Sequence, residues 1–174
     1  MTAHRSAPSG STSWARSPER AALLRVYAEV DTLFAGWTCE CSRADVGETP
    51  NARCCHFAVT GREPYPTAIE LTELQSALRA APPPKTDPRR LPVADLRACP
   101  LLSPEGRCRA YASRPFGCRT FFCSHAEGPG GTGQKLPRDA VNALGRRVAD
   151  LSARHAPRDP GPRPLVNALT ARGR

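Results

Sequence analysis

The chain has almost no lysine, few aromatics and no long apolar run. Of its 25 basic residues only Lys85 and Lys135 are lysines, and ten aromatics serve 174 residues. Nineteen prolines and 13 glycines leave less chain for regular elements than an ordinary domain of this size has. No segment approaches the roughly 20 apolar residues that span a bilayer. Met1 to Arg16, rich in Ser, Thr, Ala and Arg, holds no apolar stretch like a signal-peptide core. These absences predict a soluble cytoplasmic protein without a membrane role. Catalytic signatures are missing too: there is no Gly-rich phosphate loop after a strand, no H-E-x-x-H, no G-x-S-x-G and no C-x3-C-x2-C of the radical type. No reaction is therefore legible. An enzymatic role would be that of an iron–sulfur oxidoreductase component, with the substrate held by a partner.

Cysteine is abundant instead, and it is concentrated. Cys39, Cys41, Cys54, Cys55, Cys99, Cys108, Cys118 and Cys123 fall within 85 residues, with none outside. A reducing compartment leaves structural cysteines scattered as small buried hydrophobes, whereas thiolate ligands must converge on one point. Clustered cysteines in a cytoplasmic chain read first as a metal site, ahead of disulfides and of unliganded core thiols. The thin apolar composition agrees, because a core-poor domain needs a staple besides apolar burial.

A net charge of +9 raises nucleic acid or an acidic protein as a partner. The excess is greatest from Lys135 to Arg174, where nine basic residues face three Asp. A solvated face with a disordered basic tail explains the same numbers and is the stronger reading.

Along the chain, residues 1–16 read as a disordered tail, 17–155 as one cysteine-cluster domain and 156–174 as a basic, Pro/Arg-rich tail. Ser17-Pro18-Glu19 is a helix start, with a capping hydroxyl, a proline preset for the first turn and an acid at the positive dipole end. The helix runs from Pro18 to about Ala35; Leu23, Val26, Tyr27, Val30, Leu33 and Phe34 form its buried stripe, and Gly36 ends it. Residues 42–53 lack periodicity and read as a loop, and Cys55 to Thr60 alternates like a short strand. Gly61 to Pro66 reads as a turn. Thr67 and Glu70 give the capping box of a second helix reaching Ala80, with Ile69, Leu71, Leu74, Ala77 and Leu78 inside. Pro82 to Pro84 stops it and opens an extended linker to Arg90. Ser103 to Gly106 is a turn sequence that folds Leu101-Leu102 against Arg109 to Tyr111 as a hairpin-like clip. Gly128 to Gly133 reads as a flexible linker, before a third helix over about Pro137 to His155 with Val141, Leu144, Val148 and Leu151 on one face, packed back over the metal core. The expected fold class is small α+β, mostly α: about three helices, little strand and an irregular cysteine-rich, metal-stapled core.

The block Cys99-Pro100-Leu101-Leu102, Gly106-Arg107-Cys108, Tyr111, Arg114-Pro115, Cys118-Arg119 and Cys123 resembles the closing half of the YkgJ-like cysteine-cluster family, described as a zinc- or iron-chelating domain. The opening half departs from that family's C-x2-C and CC pattern: one residue separates Cys39 from Cys41, and a twelve-residue insert precedes Cys54-Cys55. The resemblance covers Trp37 to Ser124. It implies metal binding without a defined reaction.

Thiolates are soft ligands suited to zinc or to iron–sulfur clusters, and eight of them allow two four-thiolate sites. Zinc ribbons repeat C-x2–4-C pairs. Here the spacings are C-x-C, CC, C-x8-C, C-x9-C and C-x4-C, an irregularity that favours a wider iron–sulfur cluster, with zinc as the alternative. Cys39, Cys41, Cys108, Cys118 and Cys123 rank first as ligands, with one of Cys54 and Cys55 beside them. Adjacent residues in a strand point to opposite faces, so both can serve one ion only if the chain turns there. Cys99, ahead of a proline and two leucines, reads equally as packing. His56 follows Cys55 and His125 stands two residues after Cys123, but an exposed or hydrogen-bonded histidine accounts for each. Arg114 and Arg119 flank Cys118 and are the candidate donors to thiolate or cluster sulfide, against solvated arginines. Phe121 and Phe122 are expected to shield the site, with Tyr111 and Trp37 in the core.

Overall fold

A computed structural model of the chain describes residues 10–39, 53–81, 98–103, 106–122, 126–131 and 134–170. Among them helix dominates, and strand is confined to β1 (Thr38–Cys39) and β2 (Ala126–Glu127), paired antiparallel with Cys39 opposite Ala126. The helices are α1 (Gly10–Ala15), α2 (Pro18–Leu33), α3 (Phe57–Thr60), α4 (Ala68–Ala80), α5 (Phe116–Arg119), α6 (Arg138–His155) and α7 (Leu165–Thr170).

The three long helices stand where the periodicity puts them. Ser17 Oγ accepts from the Arg20 amide at 3.0 Å, so a backbone donor that the first turn cannot satisfy has a partner. Leu23, Val26, Tyr27 and Val30 are buried along α2, and Gly36 at φ +81° turns the chain out of the helix toward β1. Thr67 closes the capping box of α4, its amide and its hydroxyl each donating to Glu70 at 2.8 Å. α6 lies across α2 and α4 and buries Leu144, Val148, Leu151 and Ser152. Each large apolar side chain so buried contributes about 1.5–3 kcal/mol, and together these residues form the first of two apolar clusters. The second gathers Leu74, Cys99, Leu101, Ala110 and Leu165, with Cys55 and Cys108 packed against it.

Several expectations are corrected. The first sixteen residues are not all tail: α1 seats Trp14 in the core at 7% exposure, and its indole N–H donates to Glu73 at 2.9 Å. The 156–174 segment is not a free tail either. Through residue 170 it runs beside residues 63–68, with Arg163 N donating to Pro66 O at 3.1 Å and Leu165 N to Pro64 O at 3.0 Å. Leu165 is fully buried. Cys55 to Thr60 is not a strand; Cys55 ends a 3-10 turn, and Phe57 starts the single turn α3, closed by Gly61 at φ +63°. Gly128 to Gly131 forms a bridged turn rather than a loose linker. Tyr111 is 62% exposed rather than core. The loop over 42–52 and the linker over 82–90 lie outside the described residues.

Candidate metal centre

Cys99 belongs to the second apolar cluster, and Cys55 and Cys108 pack against it. Cys54 and Cys55 come from the 3-10 turn Arg53–Cys55, which supplies the bend that adjacent ligands need. The isolated bridge between His56 and Ala98 brings in the next cysteine, and the Cys99 amide donates to the Cys55 carbonyl at 2.7 Å. Cys108 stands on the expected clip, where Leu102 bridges Cys108, Arg109 N donates to Leu101 O at 2.9 Å and Ser103 N to Arg107 O at 2.8 Å. Cys118 comes from α5.

These thiols feel one another. The Cys54 and Cys55 thiols interact, as do those of Cys55 and Cys99. Cys118 lies within electrostatic reach of Cys55 and Cys108, and Cys108 of Cys54. Hydrogen bonding to Cys55, then burial, raises the Cys54 thiol. At Cys55 the bond from Cys54 favours the thiolate, but the bond to Cys99, burial and the neighbouring sulfurs outweigh it and push the thiol up to about 12. Burial first, then Cys55 and Cys108, pushes Cys118 up to about 12 as well, and burial raises Cys108. Cys54, Cys55, Cys108 and Cys118 are thus all held toward the neutral thiol, with Cys54 exposed and Cys99 buried.

Arg114 is the cation of this neighbourhood. Its charge works in favour of the thiolates of Cys54, Cys108 and Cys118. The guanidinium sits 4.1 Å from the centroid of the Tyr111 ring, and its Nε is buried without a hydrogen-bond partner among the described residues. Arg119, the other expected donor, is committed elsewhere. Its Nε donates to Arg114 O at 2.9 Å, one terminal nitrogen binds both carboxylate oxygens of Asp31 at 2.8 and 2.7 Å, and the other donates to Ala112 O. The group also lies 4.2 Å from the Tyr27 ring centroid. Arg119 is therefore a clamp on the loop that carries Arg114, not a donor to sulfur.

His56 takes part through its backbone in the bridge to Ala98. Phe122 packs on Phe34 and Trp37, at 4.5 and 5.2 Å between centroids, in the first apolar cluster rather than over the thiols. Cys41, Cys123, His125 and the side chain of Cys39 lie outside the described residues. The residues that sequence reasoning passed over are Glu70 and Glu73, 2% and 1% exposed. Glu70 was legible only as a cap, whereas Glu73 sits between Ile69 and Ala77 on the buried side, a polar residue inside an apolar stripe.

The fit to a metal is one of donor chemistry. Five soft ligands lie in one neighbourhood, and the charge of Arg114 acts on Cys54, Cys108 and Cys118, which suits a centre bearing negative charge on sulfur. Among the described residues no group of three or more Cys, His, Asp or Glu is placed to hold a metal ion. No protein-family model, no curated protein and no solved structure matches the chain.

Proposed function

We propose that this is a cysteine-cluster metal-binding protein holding an iron–sulfur cluster for redox, sensing or metal delivery. What supports the reading is that Cys54, Cys55, Cys99, Cys108 and Cys118, from four separate segments, influence one another pairwise, with the charge of Arg114 acting on Cys54, Cys108 and Cys118. Thiols raised by burial and by each other gain little from proximity while protonated. Deprotonated around a cation they become mutually satisfying ligands. Cys55, coupled to each of the other four, leads the set, and Cys99 also serves packing. Cys39, Cys41 and Cys123 complete the proposed eight-thiol set. Arg114 holds a positive charge near Cys54, Cys108 and Cys118. When bound, the cluster would supply one-electron chemistry.

Zinc is the second reading, favoured by the apolar cluster that holds Cys99, since a closed zinc site is a structural staple. In that version the protein is an interaction domain whose basic C-terminal third meets an acidic protein or nucleic acid. No described helix is long and apolar enough to cross a membrane, and we assign the protein to the cytoplasm. The YkgJ-like resemblance supports either metal.

Elemental analysis of the full chain purified without air decides between them. Iron with acid-labile sulfide and a brown colour supports the first reading, and stoichiometric zinc in colourless protein the second. Folded, reduced protein with neither metal rejects both.

A further inference from the structure

Glu70 does more than cap α4. A capping box needs one carboxylate oxygen, here Oε2, which accepts from the Thr67 amide and hydroxyl at 2.8 Å each. The other oxygen points away from the cap. Oε1 accepts from the Tyr27 hydroxyl at 3.2 Å and from the Phe116 amide at 2.6 Å. None of these four donors is a cation, and the residue is 2% exposed. A carboxylate buried so deeply is tolerable only when it is fully hydrogen-bonded, and its bonds to N–H groups are then strong.

Phe116 is the first residue of α5, and Cys118 follows two positions later. A four-residue helix has no cooperative stability of its own, so its place depends on tertiary bonds. Glu70 fixes its beginning, and Arg119 fixes the carbonyls of Ala112 and Arg114 just before it. We propose that Glu70 is a positioning residue for the thiol centre: by seating Phe116 it holds Cys118 toward Cys55 and Cys108, with Arg114 beside them. This rests on the metal-centre reading for its purpose, but not for its geometry.

The test reads each thiol separately. Metal-free full-length chain is pulsed with iodoacetamide under anaerobic conditions, and alkylation is mapped by mass spectrometry for wild type, E70A, E70Q and E73Q. In wild type Cys118 reacts more slowly than the exposed Cys54. In E70A the Cys118 rate rises about tenfold relative to Cys99, the effect of leaving one buried N–H without its acceptor. E70Q, which keeps one acceptor oxygen, gives a smaller rise and decides the matter if E70A does not fold. E73Q, altered at an equally buried acid of the same helix, lowers thermal stability without singling out Cys118. An unchanged Cys118 rate in the Glu70 variants, or an equal rise at every thiol in the Glu70 and Glu73 variants alike, overturns the proposal. Cobalt(II) titration of wild type is scored apart: absence of thiolate-to-cobalt absorption counts against the metal centre and leaves the positioning role to the alkylation result.

Discussion

The Cys99 amide donates to the Cys55 carbonyl at 2.7 Å, and the thiols of the same two residues interact with each other. The two cysteines lie on either side of the Pro82-Pro83-Pro84 spacer. One contact therefore joins the two halves of the cysteine-rich sequence through both backbone and sulfur, and it places the junction on the apolar floor formed by Leu74, Leu101 and Leu165.

Trp14 tests whether the N-terminal segment belongs to the domain. Its ring is in the first apolar cluster, 5.2 Å from the His155 ring, and its N–H is bonded to Glu73. Trp14→Ala is expected to cost about 3–5 kcal/mol, as large-to-small changes at buried aromatics do. Chemical denaturation reads this as a lower midpoint with an unchanged slope. A loss below about 0.5 kcal/mol would return residues 10–16 to the status of a tail.

Arg119 tests the clamp. Its side chain is 4% exposed, while that of Asp31 is 52% exposed, so the ion pair is half in water and the two carbonyls are the larger stake. Arg119→Lys keeps the charge but loses the fork that reaches Ala112, Arg114 and Asp31 together, and is expected to destabilise by about 1–3 kcal/mol. Metal loading per folded molecule should stay at the wild-type ratio. A specific loss of metal without loss of stability would make Arg119 a partner of sulfur after all.

Glu73 sets an acid limit on stability. Burial pushes its carboxyl upward, but the bonds from Arg20, Trp14 and Ser113 outweigh burial and hold it below the ordinary glutamate value of 4.5. A carboxyl lowered on folding stabilises the native state in full above its unfolded value, and that contribution drains away as pH falls through the folded value. Unfolding free energy should therefore decline from about pH 5 downward, and Glu73→Gln, with no charge to lose, should decline less steeply over the same range. Equal slopes by urea denaturation would remove Glu73 from the acid limit.

How much of this was readable in advance follows from what each signal measures. Helical periodicity is local, and α2, α4 and α6 stand where Leu23, Leu74 and Leu144 and their neighbours put them. The clip at Leu102 and Cys108 followed from its turn residues. Trp14 and Leu165 escaped because their flanks are polar or proline-rich, and composition cannot show that Pro64 and Pro66 offer carbonyls to a second proline-rich segment. Over Cys55 to Thr60, six residues are too few to separate alternation from one helical turn. The clustering of eight cysteines was readable in the sequence. The division of labour between the two arginines was not, because Arg114 and Arg119 flank Cys118 in sequence while only the fold shows Asp31 beside Arg119.

The most direct test of the central claim is X-ray absorption at the metal edge of protein purified without air, for wild type, Cys55→Ser and Cys118→Ser. The account predicts a shell of sulfur neighbours at about 2.3 Å, about four per metal, depleted in both variants although they come from opposite halves of the chain. A shell of nitrogen and oxygen alone, or a sulfur shell untouched by either substitution, would contradict it.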